Sequence, residues 1–354
     1  MSQQTLSPAA CPATPGHSAS PLAGLHPAYF AMVMATGIVS VSCQLLGMQF
    51  LGRVLFGLNI LFYAVLWVLL VLRCTRFPIN VRNDLLHHGR SVGFFTLVAG
   101  TCVLGSQFLI VGGAWHIAAG LWTAGILLWL VLTYGIITVL TVKESKPGLA
   151  EGINGGWLLP VVAAQSVAVL GAQLVSGFAE PWQPRVLMFC LVVWLGAGML
   201  YVWIISLIFY RYTFFTLSPA DLAPPYWINM GAVAISTLAG TMLLAASPRS
   251  ALLRELVPFL KGITLLFWAT ATWWVPMLVI LGIWRHVFRR FPLRYDPLYW
   301  GAVFPLGMYT ACTFRLTQVV DAGFLLFVPR AFIYVALAAW TLTLLGLLRR
   351  LARI

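Results

Sequence analysis

The chain has 354 residues, 61% of them hydrophobic and only 8% charged, with a formal net charge of +13. A mean hydropathy of +0.94 excludes a soluble globular domain, and apolar runs of about 20 residues, long enough to cross a bilayer, recur from end to end. The basic excess reads as an orientation signal for membrane insertion rather than as a nucleic-acid-binding surface.

Residues 1–24, rich in Pro, Ser, Ala and Thr and free of charge, read as a disordered tail. They do not form a secretory signal, because no basic segment opens them and the first apolar run is full length. Residues 25–350 then form one all-α membrane domain. Its ten predicted spans are roughly 26–48, 54–72, 91–112, 115–142, 157–176, 186–210, 226–246, 262–284, 298–318 and 328–348. The loops are too short to hold a separate soluble domain.

The spans fall into five pairs. First members are rich in Gly, Ala, Ser and Thr; second members are bulky and hold eleven of the 15 Trp. Each first member opens on aromatics: Tyr29-Phe30, Phe94-Phe95, Trp157, Tyr226-Trp227 and Tyr299-Trp300. The second aromatics are 65, 62, 70 and 73 residues apart, which indicates one helical hairpin used five times. An inner set of helices enclosed by an outer set points to a central pore.

Small residues on the first members let helices approach closely, so tight packing competes with pore lining as their role. Their amides, Gln44, Gln107, Gln165, Gln173, Asn229 and Gln318, lean toward an aqueous lining, since an unpaired amide facing lipid is costly. The lining candidates are Phe30, Thr36, Gly37, Phe95, Gly100, Thr101, Pro160, Gln165, Ser236, Pro305 and Thr310. Pro160 and Pro305 are expected to interrupt their helices. On the second members, Trp115, Trp122 and Trp129 recur every seven residues and share one face, an outer packing or lipid-facing stripe.

With the N-terminus inside, 14 of the 21 Lys and Arg fall on the cytoplasmic side, which places both termini there, in a cytoplasmic (inner) membrane. All eight acids and all six His lie in the tail, in loops or at span ends. No mid-membrane carboxylate or imidazole is available for a proton relay or a sodium site. The same absence argues against an intramembrane enzyme built on paired acids or a metal cluster, so no cofactor and no metal is expected. Asp84 with His87 and His88 reads as an ordinary charged loop, and the six scattered Cys as small buried residues. Five parallel first members starting inside would bring five partially positive helix ends to one mouth, favouring anions. Arg315, in the last turn of the ninth span, is a candidate anion contact at the outer mouth, with snorkelling to the interface as the alternative.

The segments HPAYFAMVMATGIVSVS (26–42), GFFTLVAGTCVLGSQ (93–107) and YWGAVFPLGMYT (299–310) resemble the tellurite-resistance/C4-dicarboxylate transporter family, which includes TehA-type proteins and the plant slow anion channels. The resemblance covers about residues 24–350. It implies five hairpins in quasi-fivefold arrangement, a homotrimer with one pore per protomer, and a Phe on the ninth helix that plugs the pore. By motif match that Phe is Phe304, with Phe30 and Phe95 as weaker rivals. The expected function is transmembrane passage of small anions, of the C4-dicarboxylate, sulfite, tellurite or halide/nitrate class, channel-like or as efflux. The alternative is a proton-linked C4-dicarboxylate or malate carrier.

Overall fold

A computed structural model describes residues 20–353, so most of the expected N-terminal tail, residues 1–19, lies outside the described residues. Ten long helices follow the predicted spans. They are α1 (Ala31–Leu45), α2 (Gln49–Arg76), α3 (Phe95–Ile110), α4 (Trp115–Val142), α5 (Leu159–Leu174), α6 (Gln183–Phe214), α7 (Ile228–Ala246), α8 (Val257–Ile283), α9 (Trp300–Val319) and α10 (Phe327–Leu351). Among the described residues nine of these spans are long and apolar enough to cross a membrane. The tenth, α9, carries Thr310, Thr313, Arg315, Thr317 and Gln318 and is buried along most of its length.

The odd helices form the inner set. In the apolar windows of α1, α3, α5 and α7, 83–94% of residues are buried, against 17–44% in the even helices. The inner helices pack side by side in the closed order α1, α3, α5, α7, α9 and back to α1. Each even helix packs on the odd helix before it and leans toward the next one round the ring. Five hairpins thus enclose one axis, and the apolar even helices face outward.

Every inner helix is entered through a short 3-10 turn at the aromatic register. The turns are Pro27–Phe30, Val92–Phe94, Gly155–Leu158, Pro224–Trp227 and Pro297–Tyr299. These turns also touch one another in a closed ring of the same order, so the five inner helices run parallel. Glycine permits that approach at Gly155, where a Cβ would stand 2.3 Å from the Pro225 carbonyl oxygen. Pro160 therefore does not interrupt a helix: it occupies the first turn of α5, where its missing N–H costs nothing. Pro305 does lie inside α9. Its ring packs on Gly231 of α7, where a Cβ would come within 2.7 Å of Pro305 Cγ.

Indole N–H groups tie the outer helices to the inner ones. Trp122 donates to the Val167 carbonyl (2.9 Å) and Trp115 to that of Leu174 (3.0 Å), so two members of the seven-residue stripe face α5 rather than lipid. Trp194 donates to the Ser236 carbonyl (2.8 Å), and its own carbonyl accepts from Gln165 Nε2 (3.1 Å). Trp340 donates to Thr36 Oγ1 (2.9 Å) and Trp268 to Thr313 Oγ1 (3.0 Å). A buried N–H needs an acceptor, and here the acceptor sits on the neighbouring helix.

Candidate functional site: an axial path through the five-helix ring

At the end where the five turns meet, a cavity of about 220 Å³ opens on the ring axis. Each inner helix contributes a pair of residues three apart: Ala28 and Ala31, Gly93 and Thr96, Gly156 and Leu159, Pro225 and Ile228, Leu298 and Gly301. Three residues is nearly one helical turn, so these pairs mark the face each repeat turns to the axis. One turn deeper, Met34 and Phe304 line the floor. Both are only 1% exposed.

Beyond that floor lies a second, much smaller cavity of about 20 Å³. It is lined by the next turns of the same faces, including Ile38 and Val41, Val103 and Ser106, Ser166 and Val169, Ile235 and Leu238, and Met308. Ser106 donates to Gln173 Oε1 (2.8 Å) at its edge. The two cavities therefore share one axial register, and the layer holding Met34 and Phe304 separates them.

Phe304, the gate candidate, lines the larger cavity, whereas the eleven lining candidates line neither. Phe30 stacks edge-on against Tyr63 and Trp67 of α2. Thr36 and Gln165 bond to outer helices as described, and Thr101 contacts the Tyr63 hydroxyl (3.0 Å). Gly37 packs against Val103, Gly100 against Val33, and Pro305 against Gly231. Ser236 and Thr310 bond back to carbonyls of their own helices, and Phe95 and Pro160 are buried in packing. Of the amides, Gln173 alone reaches a cavity. Arg315 lines neither; it is half-buried and donates to Gln318 Oε1 (3.1 Å). The axial faces are offset from the small polar residues, because Thr36, Thr101 and Gln165 turn toward partners on outer helices while Ser236 and Thr310 bond back to their own helix.

Sequence reading missed the role of the terminal cations. Four outer helices end in a Lys or Arg that donates to a backbone carbonyl in the loop leading into the inner helix of the same hairpin. Arg73 reaches Ala23 O (3.1 Å), Lys143 Leu86 O (3.0 Å), Arg211 Ala150 O (2.7 Å) and Arg285 Leu222 O (2.5 Å). Each clip closes its hairpin, and Arg211 alone of the four lines the cavity. The signal was present as one cation near the end of each second member, but it reads equally as a topology signal. Asp84 is taken by Arg73 (2.7 Å) and by Arg90, which leaves it no role in a metal site. Among the described residues no cluster of His, Cys, Asp or Glu is suited to hold a metal ion.

His26 also lines the cavity, and its Nδ1 accepts the Ala28 amide (3.1 Å), capping the first turn. Burial, reinforced by the nearby Arg90 charge, lowers its pKa to about 4, so it is neutral at physiological pH. No acid lies within any of the five inner helices. The inner helices therefore bring no acid to the path, and the charged residues lining its mouth are the buried Arg211 and the more exposed Asp221 and Glu151.

The family profile described as voltage-dependent anion channel matches residues 24–348. An uncharacterized transporter of Methanocaldococcus jannaschii is 25% identical over 90% of this chain and 91% of its own length. The sulfite efflux pump of Arthroderma benhamiae is 23% identical over 91% of this chain and 89% of its own length. The malic acid transport protein of Schizosaccharomyces pombe is 21% identical over 83% and 71% respectively.

Proposed function

Since the chain belongs to the voltage-dependent anion channel family, we propose that it conducts small anions passively along the ring axis, with Phe304 as the movable plug. The family is one of membrane transporters and channels rather than enzymes, and anion transport is the activity that membership carries. The observation that supports the finer reading is the pair of cavities in one register on either side of Phe304. A path whose inner helices hold no acid, with a buried arginine at its mouth, disfavours a cation pathway and offers no carboxylate within the membrane-spanning ring for proton coupling. The excess of Lys and Arg on the cavity side supports a cytoplasmic vestibule, with both termini inside a cytoplasmic membrane. A homotrimer, one path per protomer, belongs to the same proposal.

The test is Phe304→Ala in reconstituted bilayers. Anion current rises well above the wild-type level if the ring blocks the axis; an unchanged current removes the gate assignment.

A proton-linked dicarboxylate carrier is the second reading, favoured by the likeness to a malic acid transport protein. In that case the substrate itself would carry the proton, since the inner helices hold no titratable acid.

A further inference from the structure

Of the four clip cations, Arg211 alone faces the cavity, and among the described residues it is the one Lys or Arg that lines it. Its side chain is 7% exposed. Nε donates to the Ala150 carbonyl (2.7 Å) and Nη1 to the Tyr226 hydroxyl (3.1 Å). Nη2 makes no hydrogen bond among the described residues; its carboxylate neighbour, Asp221 Oδ1, stands 3.7 Å away. A guanidinium carries five N–H donors in a planar fork matched to carboxylates and oxyanions. The two bonds made fix its orientation, and the unspent donors are left for the cavity. Asn154 lines the same cavity, with its Oδ1 occupied by the Gly156 amide (2.8 Å) and its Nδ2 making no hydrogen bond among the described residues.

Two carboxylates, Asp221 and Glu151, also line this cavity. Glu151 is exposed and the Asp221 side chain is 39% exposed, so water and salt screen both. The buried Arg211 is screened far less. The Asp221 carboxylate is held in its own loop by the Ser218 amide (2.9 Å) and hydroxyl (2.8 Å), which keep it from closing on Arg211.

We propose that Arg211 is the loading site of the path: it binds the carboxylate or oxyanion group of the entering anion above Phe304, in exchange for its loose contact with Asp221. The proposal rests on the anion-pathway reading above.

The experiment uses the purified full chain with nitrate as probe. Nitrate flux into proteoliposomes is measured against concentration for the wild type, Arg211→Lys, Arg211→Gln and Asp221→Asn. In parallel, thermal unfolding in detergent is measured with nitrate against gluconate at equal ionic strength. Loss of a charge-assisted bidentate contact predicts a half-saturating nitrate concentration roughly tenfold higher for Arg211→Gln. Arg211→Lys falls between Gln and wild type, and Asp221→Asn lowers the half-saturating value. Nitrate stabilises the wild type and not Arg211→Gln. Unchanged saturation in both Arg211→Gln and Asp221→Asn overturns the loading site while leaving the pathway standing. Nitrate stabilisation that depends on Arg211, with no flux in either the wild type or Phe304→Ala, keeps the site and sinks the conduction reading. If Arg211→Gln fails to fold, Asp221→Asn decides: a half-saturating value unchanged or raised overturns the proposal.

Discussion

Phe304 is as buried as a core phenylalanine, yet it borders a cavity on the ring axis. The two descriptions predict different costs for removing the ring. A packed core Phe truncated to Ala loses about 3–5 kcal/mol through transfer and cavity terms. A plug whose ring faces existing space loses less, because part of its contact is already missing. Phe304→Ala is thus expected to raise conductance while lowering the thermal midpoint less than Phe95→Ala, a ring of similar burial away from the cavities. Equal destabilisation of the two variants would mark Phe304 as packing. At His26 the expectation concerns pH. Its folded pKa of about 4 lies below the ordinary value of 6.5, so the unfolded chain takes up the proton first. Its contribution to stability is complete above about pH 6.5 and is lost progressively as pH falls toward 4. Melting curves between those limits check this, and His26→Asn, which can still accept the Ala28 amide, should flatten that part of the profile.

At the scale of elements, the hairpin repeat was legible because each inner helix begins with the same device, an aromatic-bearing 3-10 turn that touches its neighbours in the ring. The face that each helix turns to the axis was not legible. Sequence reasoning assigned the polar small residues to the path, since an aqueous lining would satisfy them. In the fold, Thr36, Thr101 and the Gln165 Nε2 bond to outer helices, and the axis is left to residues such as Ala31, Leu159, Ile228 and Gly301. The register could be read only with the outer partners in place, and those partners are mostly tryptophans distant in sequence. Trp194 is the strongest of these ties: it is fully buried, and it bonds to α5 through its carbonyl and to α7 through its indole. Trp194→Phe keeps most of the ring packing but loses the indole bond, an expected cost of about 0.5–1.5 kcal/mol. Trp129 makes no such bond among the described residues, and Trp129→Phe should fall within about 0.5 kcal/mol of wild type. Matched thermal unfolding of the two variants checks the contrast; equal losses would show that the indole bond contributes nothing measurable.

The whole molecule is a closed ring, sealed where the first hairpin meets the fifth by Ser42 Oγ donating to the Gly307 carbonyl (3.0 Å). The only acid buried among the described residues, Asp84, lies off the axis and is paired with two arginines. His26, Glu151 and Asp221 stand only at the mouth, and no acid or imidazole lies deeper in the ring. The inner helices thus offer no relay to carry a proton across on behalf of an anion, and the passive reading leaves the membrane potential as the driving force. An inside-negative potential drives an anion outward by about 2.3 kcal/mol per charge per 100 mV, so flux through a passive path follows voltage. Proteoliposomes loaded with nitrate, malate or sulfite and given a potassium diffusion potential separate the two transport readings. A uniporter releases nitrate faster as the interior is made more negative, without any change of internal pH. A proton-linked carrier moves malate under a pH gradient at zero potential and acidifies or alkalinises the lumen as it does so. Voltage-independent malate flux with stoichiometric proton movement would replace the channel reading by the carrier, and in that case the proton travels on the substrate.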